Sequence, residues 1–293
     1  ILSGTFVTAV LQSSSIVNLM VLSFVGAGIL SMRNAIGVVL GANIGGTVNS
    51  WLVALLGFKV NMGAATLPII GIAGIGLVIF KNKKNYYNLC RFILGFGLLF
   101  MGLDYMKQSM DTAILNFDFK PYLKYHKIVF LLIGFVITAL IQTSAATIVI
   151  VLSALNAQIL PLETAVAFVL GAELGTTVKI VIGAIGGIAA KKRVALGNSI
   201  FNIVSTAFGF ILLSSIVNFL EDIVGIKDPL ILLVAFQSFI NIAGAILFYF
   251  FLNQLGNFLE RSFVKSEKYA TIYLQNASPE LPDAAIEVFE KEV

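Results

Sequence analysis

The chain has 293 residues, of which 58% are hydrophobic and only 12% charged, a balance too apolar to clothe a soluble globule in solvated side chains. Its net charge of +4 is spread over short clusters with no basic run interleaved with aromatics, which argues against nucleic acid as a partner. A single cysteine, Cys90, and a single histidine, His126, exclude an internal disulfide and a histidine-based metal cluster, leaving hydroxyls, amides, backbone and a few charges to carry any chemistry.

A mean hydropathy of +0.97 predicts an all-α polytopic membrane protein with about eight to ten helical segments of roughly 20 residues. Ile1-Leu2-Ser3-Gly4 reads as the interior of a helix, so the chain is expected to begin inside a longer protein. The run from Ile1 to Leu11 is too short to cross roughly 30 Å of hydrocarbon and is best drawn as one arm of a re-entrant hairpin, with Gln12 at its tip. A second apolar helix follows, and then one expected to be interrupted at Gly41-Ala42-Asn43-Ile44-Gly45-Gly46-Thr47. Gly63 to Phe80 and Leu89 to Met106 are long enough to span.

The pattern then starts again. Thr8-Ala9-Val10-Leu11-Gln12-Ser13-Ser14-Ser15 pairs with Thr138-Ala139-Leu140-Ile141-Gln142-Thr143-Ser144-Ala145, an offset of 130 residues from Gln12 to Gln142. In the same register Gly41-Ala42-Asn43-Ile44-Gly45-Gly46-Thr47-Val48 falls on Gly171-Ala172-Glu173-Leu174-Gly175-Thr176-Thr177-Val178. Ile128 to Ile141 repeats the short arm, and Val194 to Phe219 and Pro229 to Leu255 repeat the two spans. Duplication in a membrane chain points to transporters, whose halves frame a central site.

Positive charge gathers in short cytoplasmic loops. Arg33, the Lys81-Asn82-Lys83-Lys84 turn, Lys191-Lys192-Arg193 and the cluster Arg261, Lys265, Lys268 mark the inside, whereas Arg33 maps onto Glu163 and the Lys-rich turn onto Glu221-Asp222. The two repeats are therefore expected to be inverted. That divides the chain into residues 1–110 as first repeat plus the helix leading to the second, 111–127 as an extracellular connection, 128–258 as second repeat and 259–293 as a cytoplasmic tail. The expected location is the inner or plasma membrane, crossed several times.

Where a helix breaks at Gln12-Ser13-Ser14-Ser15 or Gln142-Thr143-Ser144, the following half-helix points its positive N-terminus at the break, and the preceding one ends in carbonyls. Such a pair suits an oxyanion beside a cation. The competing account is that small polar residues cement helix packing; duplication in register favours the site. Asn43 and Thr47, with Thr176 and Thr177 in the second copy, supply oxygens of the kind sodium accepts. Glu173 and Lys179 replace Asn43 and Asn49 and are charges at membrane depth, so Glu173 is a candidate for holding a cation or proton and Lys179 for a fixed positive charge replacing one coupling ion. An intramembrane hydrolase using Ser14 lacks a nearby base.

The paired Gln-Ser/Thr-Ser motifs and Gly-Ala-Asn-Ile-Gly-X-Thr resemble the type II sodium/phosphate cotransporter family, and the likeness reaches Arg91 through Met110 and Ala195 through Asn202. The resemblance implies secondary active symport of inorganic phosphate with sodium as co-substrate, no cofactor and no enzymatic activity. It makes Gln12, Ser13, Ser14, Ser15, Gln142, Thr143 and Ser144 the phosphate contacts, with sodium held by Ser14, Asn43, Thr47, Ser144 and Thr177. It also implies a helix before Ile1, a homodimer, and a PhoU-like cytoplasmic domain or partner approached by the tail. The chain departs from the family at Ala145, Gly46, Glu173 and Lys179, so transport of another oxyanion, coupling to another ion, or a membrane phosphate sensor or scaffold stay open.

Overall fold

A computed structural model describes residues 1–58, 63–116, 121 and 124–263. The tail from 264 to 293, and so the approach to a cytoplasmic domain, lies outside the described residues, as does part of the connection at 111–127. Among the described residues the chain is helical throughout. In the first half α1 (Leu2–Leu11), α2 (Ser14–Gly26) and α3 (Met32–Leu52) are followed by a π-helical stretch (Val53–Phe58), α4 (Gly63–Ile79) and α5 (Lys84–Asn116). In the second, α6 (Lys127–Ile141), α7 (Ser144–Asn156) and α8 (Leu162–Ala184) lead to α9 (Ala189–Ile211), α10 (Leu213–Asn218), a π turn (Phe219–Ile223), α11 (Pro229–Phe250) and α12 (Leu252–Arg261). Among the described residues, five stretches are long and apolar enough to cross a membrane: Met32–Phe58, Lys84–Ser109, Leu162–Ala184, Ala189–Ile211 and Pro229–Phe250. The protein is a multi-pass membrane protein.

The short arms are as short as their sequences require. α1 has 10 residues, α2 and α7 have 13 and α6 has 15, lengths of roughly 15 to 22 Å at 1.5 Å per residue, against about 30 Å of hydrocarbon. Gln12 and Gln142 end α1 and α6 in the left-handed region, at φ 53° and 60°, and their backbone N–H groups donate to Thr8 and Thr138 carbonyls at 2.8 and 2.7 Å. Ser13 and Thr143 then run extended, at φ −152° and −145°, and start α2 and α7. The duplicated motif is thus a duplicated helix break.

The Gly-Ala-X-X-Gly stretches behave otherwise. Both were expected to unwind, yet α3 runs unbroken through Gly41 to Thr47 and α8 through Gly171 to Thr177. Their glycines serve close packing. A Cβ at Gly41 would collide with the Ile1 carbonyl and one at Gly171 with the Leu131 carbonyl; one at Gly45 would stand 2.8 Å from Thr8 Cβ, and one at Gly175 2.7 Å from Thr138 Cβ. From the other side, Gly4 abuts the Val38 carbonyl and Gly134 that of Phe168. Every contact recurs at the offset of 130, so α1 lies on α3 as α6 lies on α8, backbone against backbone, the geometry that small residues permit between membrane helices. Because both partners contribute glycine, the short helices need no unwound helix to approach.

Further departures concern the spans. The helix expected over Val194 to Phe219 stops at Ile211 and passes through α10 into a π turn, and that over Pro229 to Leu255 breaks at Phe251. α5 continues to Asn116, beyond the boundary expected at residue 110. In the first half the helix interruption sits after Leu52, where the π stretch widens the turn and frees carbonyls. Lys107 Nζ donates to the Gly57 carbonyl there and lies 4.6 Å from the centroid of the Phe58 ring. Lys127 and Glu163 form an ion pair between α6 and α8.

Gly41→Ala and Gly171→Ala are each expected to lower the melting temperature of the purified protein, by an overpacking cost of about 1–3 kcal/mol. Gly46→Ala, whose Cβ would rest 3.7 Å from Ser14 Cβ, is expected to melt as the parent does.

Candidate functional site

The two breaks meet. A cavity of about 50 Å³ is lined by Gln12, Ser13, Ser14 and Ser15 from the first motif, Thr143, Ser144, Ala145 and Ile148 from the second, Asn43, Gly46, Asn49 and Ser50 from α3, and Glu173 from α8. One water needs ~10–15 Å³ on the same measure, so the space holds an object the size of a few waters, such as a small tetrahedral ion. Its wall includes the cap and first two residues of α2 and of α7, so both helix N-termini open onto it. Free N–H groups and the positive ends of two helix dipoles converge on one volume, an arrangement that attracts an anion.

Local hydrogen bonding sets how much of each terminus remains free. Ser13 Oγ accepts from the Ile16 N–H at 3.3 Å and caps α2, whereas Thr143 makes no such side-chain bond at the start of α7. Gln12 folds back, its Nε2 donating to the Ala9 carbonyl. Below the tips, Thr138 Oγ1 donates to Thr147 Oγ1 at 2.8 Å; the equivalent of Thr147 in the first half is Val17, and Thr8 Oγ1 is buried with no partner.

Of the residues singled out from sequence, Gln12, Ser13, Ser14, Ser15, Thr143, Ser144, Asn43 and Glu173 line the cavity. Gln142, Thr47, Thr176, Thr177 and Lys179 do not. Thr47 and Thr177 are buried and donate within their own helices, to the Ile44 carbonyl at 2.8 Å and the Leu174 carbonyl at 2.7 Å, and Thr176 donates to the Glu173 carbonyl at 2.7 Å. Lys179 is six residues beyond Glu173, roughly 9 Å along α8. No lysine or arginine lines the cavity, and its sole ionisable side chain is Glu173.

Asn49 and Ser50 belong to the wall without having been chosen as site residues. For Ser50 the signal was helical spacing: Asn43, Gly46 and Ser50 stand at i, i+3 and i+7 on one face of α3. Gln237 on α11 donates from Nε2 to Glu173 Oε1 on α8, an interhelical hydrogen bond. Its neighbour Ser238 makes another, accepting from Trp51 Nε1 at 2.9 Å. Among the described residues, no group of three or more His, Cys, Asp or Glu side chains gathers in a form suited to a metal.

A family model described as Na+/Pi-cotransporter matches residues 1–108 and 122–254. The chain belongs to the Na+/Pi-cotransporter family. It is therefore a membrane protein of a phosphate-transport family, and that family is one of transporters and not of enzymes. Among its relatives is the uncharacterized protein YqeW of Bacillus subtilis (strain 168), 30% identical over 244 residues that cover 82% of this chain and 76% of that protein. The putative inorganic phosphate export protein YjbB of Salmonella typhimurium is 24% identical over 88% of this chain and 47% of its own length. Its namesake in Escherichia coli (strain K12) is 25% identical over 87% and 46%. The chain spans a little under half of these two export proteins. No solved structure matches it.

Gln142→Gly keeps the left-handed cap available and is expected to preserve the fold, while Gln142→Val, β-branched at positive φ, is expected to cost about 1–2 kcal/mol; melting curves of the two variants compare them directly. Because Lys179 does not line the cavity, Lys179→Thr is expected to leave any affinity of the cavity for an anion within about twofold of the parent, as read by equilibrium dialysis with inorganic phosphate as the probe.

Proposed function

We propose that this chain carries inorganic phosphate across the membrane, binding it between the N-termini of α2 and α7 and exposing the cavity to either side in turn. The observation that carries the reading is the convergence of two helix N-termini on a small hydroxyl-lined volume. A dianion there finds directed N–H and O–H donors in place of water, and bringing no lysine or arginine keeps it from being held too tightly to leave. Family membership supports phosphate over other oxyanions.

The hairpin and inversion expectations belong to the same proposal. α1 with α2, and α6 with α7, are each too short to span, which supports two re-entrant hairpins that touch tips near the midplane. The charge pattern supports inverted repeats with the C-terminal tail in the cytoplasm. A homodimer and a PhoU-like cytoplasmic domain or partner rest on the resemblance alone.

Coupling is cationic in this reading, because a phosphate beside Glu173 calls for more positive charge than two helix ends supply and no lysine or arginine lines the walls. Sodium symport is the form that the family's name favours. The export named for the two YjbB relatives favours a second form, in which the carrier runs outward or with another coupling ion. Radiolabelled phosphate flux in proteoliposomes, with sodium, potassium or a pH gradient imposed in either direction, separates these forms. Hydrogen bonds to an anion contribute about 1.5–3 kcal/mol each, so Ser14→Ala and Ser144→Ala are each expected to reduce flux about tenfold or more. Saturable phosphate binding with no flux under any gradient would instead make the protein a sensor.

A further inference from the structure

Where α8 gives way to α9, a groove of about 270 Å³ shares no lining residue with the central cavity. α8 lines it with Val181, Ala184 and Ile185, and α9 with Lys192, Ala195, Leu196 and Ser199. These follow i, i+3, i+4 and i, i+3, i+4, i+7 spacings, one face of each helix. Buried Ala184 and Ala195 form the floor, while Ile185, 71% exposed, and Phe263, 48% exposed, open the groove to the outside of the bundle. The one hydroxyl among the described lining residues is spent, since Ser199 Oγ donates to the Ala195 carbonyl at 2.9 Å. Among those residues Lys192 alone is charged. The surroundings are basic too. Arg193 Nε donates to the Ser262 carbonyl at 2.9 Å, which brings the end of α12 against the start of α9, and the Lys191 chain lies over Gly26 and Gly187. Residues 184–199 and 252–263 carry Lys191, Lys192, Arg193 and Arg261 against a single acid, Glu260. Among the described residues none of these four bases is in an ion pair.

We propose that this groove holds an acyl chain of one anionic phospholipid, with the lipid's phosphate on Lys192. From Lys192 to Ser199 the apolar face runs roughly 10 Å along α9, against about 15 Å of hydrocarbon in one leaflet. A chain lying in it keeps its headgroup at the level of Lys192, whose long stem reaches the interface from a helix end. An extended peptide would bring N–H and C=O groups that this wall has nothing to satisfy, whereas an acyl chain brings none. Bases without carboxylate partners favour an acidic headgroup over a zwitterionic one. On the inverted-repeat topology proposed above, this end of the bundle faces the cytoplasm, the leaflet that carries anionic lipid. The site is separate from the central cavity, and the phosphate it takes is part of a lipid and not a transported ion.

The test is native mass spectrometry of the purified full chain, equilibrated with phosphatidylglycerol and phosphatidylcholine of matched acyl chains. The parent is expected to retain phosphatidylglycerol at least about fivefold over phosphatidylcholine, the worth of one base beside an acidic headgroup. Lys192→Gln is expected to remove that preference and leave phosphatidylcholine retention unchanged, whereas Ser199→Trp, which fills the groove, lowers retention of both. Melting curves that match the parent's show the variants to be folded, and Lys192→Gln, at the groove's charged edge, decides the matter alone if Ser199→Trp does not fold. Equal retention of the two lipids by the parent, or a preference that survives Lys192→Gln, would overturn the site. So would displacement of phosphatidylglycerol by excess inorganic phosphate, which would make Lys192 a contact for a bare anion. Retention of neither lipid would overturn it as well, and tryptic cleavage after Lys265 and Lys268 that appears only in Ser199→Trp would then give the groove to the chain's own tail.

Discussion

Backbone contact between a short helix and a long one, made possible by glycine on both, is the constraint from which the rest of the structure follows. α1 lies on α3 through Gly4, Gly41 and Gly45, and α6 lies on α8 through Gly134, Gly171 and Gly175. In lipid there is little hydrophobic drive to bring helices together, so close van der Waals approach supplies it. That approach fixes how deep each short arm sits. It therefore fixes where Gln12 and Gln142 turn the chain, and where α2 and α7 begin.

Once the depth of the arms is set, the electrostatics follow from backbone alone. A helix ending in the left-handed region and another starting one residue later leaves N–H groups that lipid cannot satisfy. Two such starts facing each other give a volume of positive potential with no basic side chain in its wall. Anion recognition by backbone and hydroxyl groups is well matched to a carrier, whose ligand must both enter and leave. Glu173 stands as the one ionisable group at this meeting point, and its hydrogen bond to Gln237 ties the cavity to α11.

The halves share a scaffold and differ in chemistry. Asn43 and Glu173 occupy equivalent places, yet only the second is backed by a polar pocket from α9 and α11. α3 supplies Asn49 and Ser50 to the cavity wall, where α8 has Lys179 and Ile180 turned elsewhere. Thr138 has its hydroxyl partner in Thr147, whereas Thr8 has none and the position equivalent to Thr147 is Val17. The framework is duplicated, and the substitutions on it make the two walls of the cavity chemically different.

The sequence by itself determined the membrane class, the duplication and its register, the short arms ending at Gln12 and Gln142, and, Gln142 excepted, the Gln-Ser/Thr-Ser residues of the cavity. Those are legible because hydropathy, helix length against bilayer thickness, and repetition are local or one-dimensional properties of the chain. Only the tertiary structure decided what the Gly-Ala-X-X-Gly stretches do. Glycine permits unwinding and close packing alike, and the choice between them depended on whether another backbone lay against Gly41 and Gly171. The same holds for Thr47, Thr177 and Lys179, whose residue types suit a site and which the packing leaves out of the cavity wall. Gln237 and Ser205 came to Glu173 from helices 64 and 32 residues away in sequence, and no local pattern marks a proximity that arises only when α8, α9 and α11 pack together.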